Sequence, residues 1–180
     1  EQGITTCFLT PYEKFLARVE GPVSGNVLLR RQQYRCSDDP ARCAPIVRNL
    51  LQGKLYNQRA VLGRALRDHG GKLVASDEAA LTHAYQRLDR IAANLPQEAS
   101  VDLLRGYEGE AAQSYFGVFD HLIRVPGTAM RFTGRSRRPP LDAVNALLSF
   151  LYTLVTHDCR SALESVGLDP AVGFLHRDRP

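Results

Sequence analysis

The chain has 180 residues and a mass of 20.0 kDa, with 44% hydrophobic and 23% charged residues. That balance excludes a disordered polypeptide, a collagen-like repeat and a disulfide scaffold, and it allows one or two domains with a real core. The net charge is +4 and no apolar run approaches the roughly 20 residues that cross a bilayer, so neither a membrane nor a secreted protein is expected. Cys7, Cys36, Cys43 and Cys159 lack the close pairing of a zinc site, and four scattered thiols suit a reducing cytoplasm. Because the sequence opens on Glu1 and stops at Pro180, it reads as a segment of a longer polypeptide.

In chain order, Ile4 to Leu9 and Phe15 to Glu20 are β-branched and aromatic and flank a turn-like Thr10-Pro11-Tyr12-Glu13, which predicts a hairpin. Two strands alone are marginal, so residues 1–22 are expected to be a small β remnant of an N-terminal β-domain with its linker. Gly21-Pro22 then changes the pattern, and residues 23–180 predict a mostly α domain with antiparallel helices. The expected helices run from about Gly25 to Cys36, Pro40 to Asp68, Asp77 to Leu95, Glu98 to Ile123 and Leu141 to Val166. Gly70-Gly71 and Pro96 supply stops, Ser76 is the expected cap of the third helix, and Pro140 suits the first turn of the last. In that last helix Val144, Leu147, Leu148, Leu151 and Val155 recur at three- and four-residue steps, a stripe expected to be buried in the core.

Charge is segregated along the chain. Nine basic residues face three acids between Ser24 and Gly70, and five arginines with no acid lie between Leu122 and Pro140, whereas Gly71 to His121 is net acidic. Arginine outnumbers lysine 20 to 3, and the planar guanidinium fork suits phosphate. Arg131, Arg135, Arg137 and Arg138 fall between two helical patterns, where such crowding repels itself unless an anion neutralises it. A nucleic-acid backbone is the common choice.

One acid is out of place. The apolar stripe Leu104, Ala111, Tyr115, Phe119 and Leu122 shares its face with Glu108. A carboxylate among hydrophobes is salt-bridged, protonated or bound to a cation, and spacing leaves these open. Gly106, Gly109, Ala111 and Ala112 make the surface around it small, as for a close backbone approach. His176 ends a segment from Gly167 whose glycines and proline exclude regular helix. Carboxylate plus imidazole plus water suits Mg2+ or Mn2+. No Walker loop, GxGxxG, GxSxG, HExxH or EF-hand pattern is present.

Three ordered blocks, Gly106 to Phe116, Arg135 to Phe150 and Gly167 to His176, resemble those of the CRISPR-associated integrase, the metal-dependent endonuclease of spacer acquisition. Gly21 to Arg31 resembles that family's junction between its β-domain and its helical domain. The resemblance implies a helical catalytic domain truncated at its C-terminus, with Glu108 and His176 as catalytic residues and ligands of Mg2+ or Mn2+. It further implies a cytoplasmic homodimer that joins a small second CRISPR adaptation protein and inserts prespacer DNA into a repeat array by phosphodiester transesterification. The family's aspartate ligands beyond the histidine have no match here, since Asp178 does not fit their motif. Arg30, Arg31, Arg135, Arg137, Arg138 and Asn145 are the expected DNA contacts. The competing reading is a non-catalytic helical module that binds nucleic acid or bridges proteins, with Glu108 in a structural ion pair.

Overall fold

The computed structural model describes residues 6–11, 15–19, 26–125, 127 and 129–176. Strands β1 (Thr6–Leu9) and β2 (Phe15–Val19) pair antiparallel, with Thr6 opposite Val19 and a register shift between Phe8 and Leu9. The expected hairpin is therefore present, while Ile4, Thr5, Glu20 and the junction at residues 21–25 lie outside the described residues.

Helices account for most of the rest. Helix α1 (Val27–Ser37) starts where the Asn26 side chain accepts from the Leu28 and Leu29 amides. Helix α2 (Pro40–His69) starts at Asp39, whose carboxylate accepts from the Ala41 amide, with Pro40 in the first turn where a missing N–H leaves nothing unpaired. Helix α3 (Ala75–Ala93) follows a short 3-10 turn at Gly70–Lys72. Ser76 is not its cap: it lies inside the helix, and Val74 stands at the cap position without a side-chain bond. Helix α4 (Val101–Gly117) is capped by Ser100 and gives way to a 3-10 turn at Phe119–Leu122, so the predicted Glu98 to Ile123 helix is shorter at both ends. Helix α5 (Ala143–Ser165) is capped by Asp142. Pro140 lies outside it.

The core lies where α2, α3 and α4 pack on one another. Val47, Leu51, Leu55 and Leu62 line one side of α2, while Leu81, Ala84, Leu88 and Ile91 line α3, at the three-, four- and seven-residue steps that keep one helical face aligned. Leu104 and Ala111 do the same from α4. Gly63 lets α3 come close, because a Cβ there would stand 3.1 Å from the Tyr85 ring. The charge segregation seen in sequence finds part of its explanation in this packing. Basic α2 lies against the acidic helices, with Lys54 paired to Glu108 and Arg59 to Asp89.

The α5 stripe does not join this core. Val144 is buried, but Leu147, Leu151 and Val155 are 47%, 46% and 57% exposed. Periodicity identifies an apolar face but not what covers it. The hairpin contacts the C-terminal half of α5: Arg18 bonds Glu164 at 2.5 Å with both side chains largely buried, and the His157 ring stacks on Phe15 with Cys7 Sγ 3.7 Å from its Nδ1.

These two environments separate sharply in stability. Leu88→Ala, at a fully buried site, should cost about 2–5 kcal/mol, whereas Leu151→Ala should change the stability of this chain by about 0.5 kcal/mol or less; urea unfolding of the two variants checks the contrast.

Candidate functional site around Glu108 and His176

Glu108 stands midway along α4, one turn after the buried Leu104. Its side chain is 23% exposed, so the expectation of an acid on a largely apolar face holds. Its partner is Lys54 of α2, whose Nζ donates to Oε1. None of the described residues approaches Gly106 or Gly109 closely, since a Cβ on either would meet nothing within 4 Å.

The segment carrying His176 is positioned by polar side chains from two helices. It begins with a Schellman turn: Gly167 takes φ +83°, its amide donates to Glu164 O at 3.0 Å, and the Leu168 amide donates to Leu163 O at 2.9 Å. Three residues of α1 then grip it. Arg30 Nε donates to Gly167 O at 3.1 Å, the Gln33 amide group both donates to and accepts from the Asp169 backbone at 2.8 Å, and Tyr34 OH donates to Asp169 Oδ2 at 2.5 Å. At the far end Arg105 of α4 donates from Nε and Nη2 to Leu175 O at 3.2 and 2.6 Å. Phe174 and Leu175 pack against the core. The residue before His176 is thus anchored to the residue one helical turn before Glu108, although 70 positions separate Arg105 from Leu175 in sequence. His176 itself is exposed and lines a cavity of about 570 Å³ with Asp102 and Arg105.

A carboxylate and an imidazole are the right donor types for a hard divalent cation. Among the described residues, no three His, Cys, Asp or Glu side chains converge as a ready-made cage. Asp178 lies outside the described residues.

The arginine-rich segment is fixed from both sides. Asp120 accepts from the Phe132 amide and from Arg131 Nη1, both at 2.7 Å, so Arg131 is neutralised within the fold. The Phe132 amide, first among the causes, draws the Asp120 carboxyl below the usual carboxylate range. Phe132 is buried against Phe116 and Phe119, with ring centroids 6.0 and 5.0 Å away. At the other end Asn145 is 0% exposed. Its Oδ1 accepts from Arg135 Nη1 at 2.8 Å and from the Ser136 amide at 2.9 Å, and its Nδ2 donates to Gly134 O and Asp142 Oδ2. This corrects its assignment as a DNA contact. Asn145 organises the arginine segment and offers no atom to an external strand. Arg30, half-buried, likewise serves the His176 segment, while Arg31, Arg137 and Arg138 are exposed.

Sequence reasoning missed Gln33, Tyr34 and Arg105, whose partners lie 136, 135 and 70 positions away. It also set aside His121, which meets Asp77 at 3.5 Å. No helix among the described residues is long and apolar enough to cross a membrane.

The sequence profile of the family described as CRISPR associated protein Cas1 matches residues 1–180. A CRISPR-associated endonuclease Cas1 of Rhodospirillum rubrum is 61% identical over 179 residues, and one of Chlorobaculum tepidum 53% over 178; each match takes in 99% of this chain and 51% of the relative. The chain therefore spans about half the length of the curated relatives it matches. Among solved structures, a Cas1 protein from Thermotoga maritima aligns over 96% of this chain and 50% of its own at TM-score 0.71 and 22% identity. A casposase bound to integration product aligns over 99% of this chain and 47% of its own at 0.72 and 24%. At these identities the likeness to solved structures shows the fold.

The Tyr34 hydroxyl, followed by the Ala171 amide, holds the Asp169 carboxyl below the ordinary carboxylate range. A depressed folded value stabilises the segment above the unfolded carboxylate pKa of about 3.9 and is lost as pH falls through the lower folded one. Acidification below about pH 4 should weaken the Tyr34 and Ala171 contacts of Asp169, followed by NMR shifts of the Ala171 amide, and Asp169→Asn should remove that titration.

Proposed function

Because the chain belongs to the CRISPR-associated Cas1 family, we propose that it is the helical catalytic part of a divalent-metal-dependent DNA endonuclease and integrase. The reaction is insertion of short DNA fragments into a CRISPR repeat array by phosphodiester transesterification. The observation that carries this reading is the anchoring of the His176 segment to Arg105, one turn from Glu108. It supports a shared role for the two side chains that the family resemblance pairs.

In this reading Glu108 and His176 hold Mg2+ or Mn2+. When bound, the ion polarises the scissile phosphodiester and stabilises charge on the attacking and leaving oxygens. The chain's own residues do the positioning. Gln33, Tyr34 and Arg105 set the place of His176, Lys54 supplies counter-charge to Glu108, and Arg137 and Arg138 hold the strand through their forks. The protein works as a homodimer together with the small second adaptation protein, on prespacer and repeat DNA. Solved structures of Cas6-RT-Cas1–Cas2 complexes share the fold and support such an assembly.

The Lys54–Glu108 pair favours a second reading, a non-catalytic nucleic-acid-binding or bridging module in which that ion pair is structural. The pair is partly exposed, and such bridges contribute about 0–1 kcal/mol. Glu108→Ala in the full-length protein should reduce Mn2+-stimulated strand transfer to background and weaken Mn2+ binding by calorimetry, with a melting curve like the parent's. Undiminished strand transfer would reject the catalytic reading, and a loss of stability alone would favour the module. Affinity for duplex DNA should also fall with salt at a log–log slope of about −0.9 per phosphate contacted.

A further inference from the structure

Cys36 and Cys43 stand on either side of the turn that joins α1 to α2, one in the last turn of the first helix and the other in the first turn of the next. The turn brings them together. Cys43 Sγ donates to the Cys36 carbonyl at 3.1 Å and lies 3.6 Å from that of Ser37. Its sulfur is therefore within about 6 Å of the Cys36 Cα. The side chains also meet directly: burial, first, and then the Cys36 thiol beside it push the Cys43 thiol up, with Asp39 and Asp38 adding to the effect. The two thiols are neighbours, the first requirement for a disulfide.

The pair is asymmetric. Cys43 is 3% exposed and its proton is engaged by the Cys36 carbonyl, whereas Cys36 is half-buried and lines an open groove of about 790 Å³. A small oxidant in solution therefore meets Cys36 first. An accessible thiol that is attacked, next to a second thiol that resolves the product, is the arrangement of peroxide-sensing cysteines. In a reducing compartment such a pair rests as thiols and closes only under oxidation.

We propose that Cys36 and Cys43 form a hydroperoxide-sensitive dithiol whose disulfide clamps α1 to α2. With hydrogen peroxide, the Cys36 sulfur attacks one oxygen, the O–O bond breaks, and water leaves as Cys36 becomes the sulfenic acid. The Cys43 sulfur then attacks the Cys36 sulfur. The S–O bond breaks, and the hydroxyl departs as a second water with the Cys43 proton. The two thiols lose two electrons in all, and the peroxide is reduced to water. The clamp matters because of what α1 holds. Gln33 alone of its residues is buried, and the grip of Arg30, Gln33 and Tyr34 on Gly167 and Asp169 is polar. A helix with so little buried apolar surface opens locally at low cost, and a bond across its end restricts the opened states. The proposal is independent of the DNA-processing reading above.

The test treats the full-length protein with hydrogen peroxide, blocks free thiols by alkylation and digests with trypsin without reductant. Cleavage after Arg35, Arg42 and Arg48 separates the peptide Cys36–Arg42 from Cys43–Arg48, so the bridge should appear as one species joining the two. Cys43→Ser keeps a hydroxyl donor for the Cys36 carbonyl but cannot resolve. Its Cys36 should accumulate as sulfenic acid and take up about 10-fold more dimedone than in the parent. Cys36→Ser should leave Cys43 unoxidised. In the bridged parent, amide exchange along α1 should slow by about 10-fold, and dithiothreitol should restore it. Free thiols at both positions after peroxide, a Cys36–Cys159 link in place of the expected one, or α1 exchange unchanged by a formed bridge each overturns the proposal. Thermal melts check the variants; should Cys43→Ser not fold, the peptide map and exchange rates of the parent decide alone.

Discussion

A carboxylate three-quarters withdrawn from water on the face of a helix has to be answered by a cation, and much of the arrangement follows from that constraint at Glu108. Packing of α2, α3 and α4 through Leu55, Leu88 and Leu104 sets Lys54 opposite it. The two helices that carry the pair are therefore held in register by apolar contacts and matched in charge by polar ones.

Around this centre, the segments that are not helical are tied down by side chains from the helices. Backbone carbonyls and amides in an irregular segment still need partners, and buried polar side chains provide them. Gln33 and Arg105 do so for residues 167–176. Asp120 and Asn145 do so for residues 131–136. Both segments lie beside cavities, so a rigid helical frame presents two shaped, irregular edges to whatever binds there.

The helical scaffold could be read from the chain because three- and four-residue apolar steps in α2 and α3 need no knowledge of the partner, and the glycine and proline stops are local. The α5 stripe shows the limit of that logic. Its pattern is as regular as that of α3, yet the face is open among the described residues, because periodicity records which residues repel water and not what stands opposite. Glu108 could be singled out as an acid among hydrophobes, but its lysine partner, 54 positions away, could not. Gln33 and Asn145 look like ordinary surface amides in sequence. Their burial depends on backbone groups in distant segments, so nothing local marks them.

The Gln33 contact has a chemical consequence of its own. By giving a proton to the Asp169 carbonyl and taking one from the Asp169 amide, a single side chain imitates the edge of a neighbouring strand. Only a carboxamide of that reach satisfies both ends. A glutamate would set oxygen against the carbonyl oxygen, and a methionine would leave both backbone groups dry and unmatched. Position 33 therefore acts as a reader of peptide geometry, and its tolerance to replacement is set by atom type more than by size.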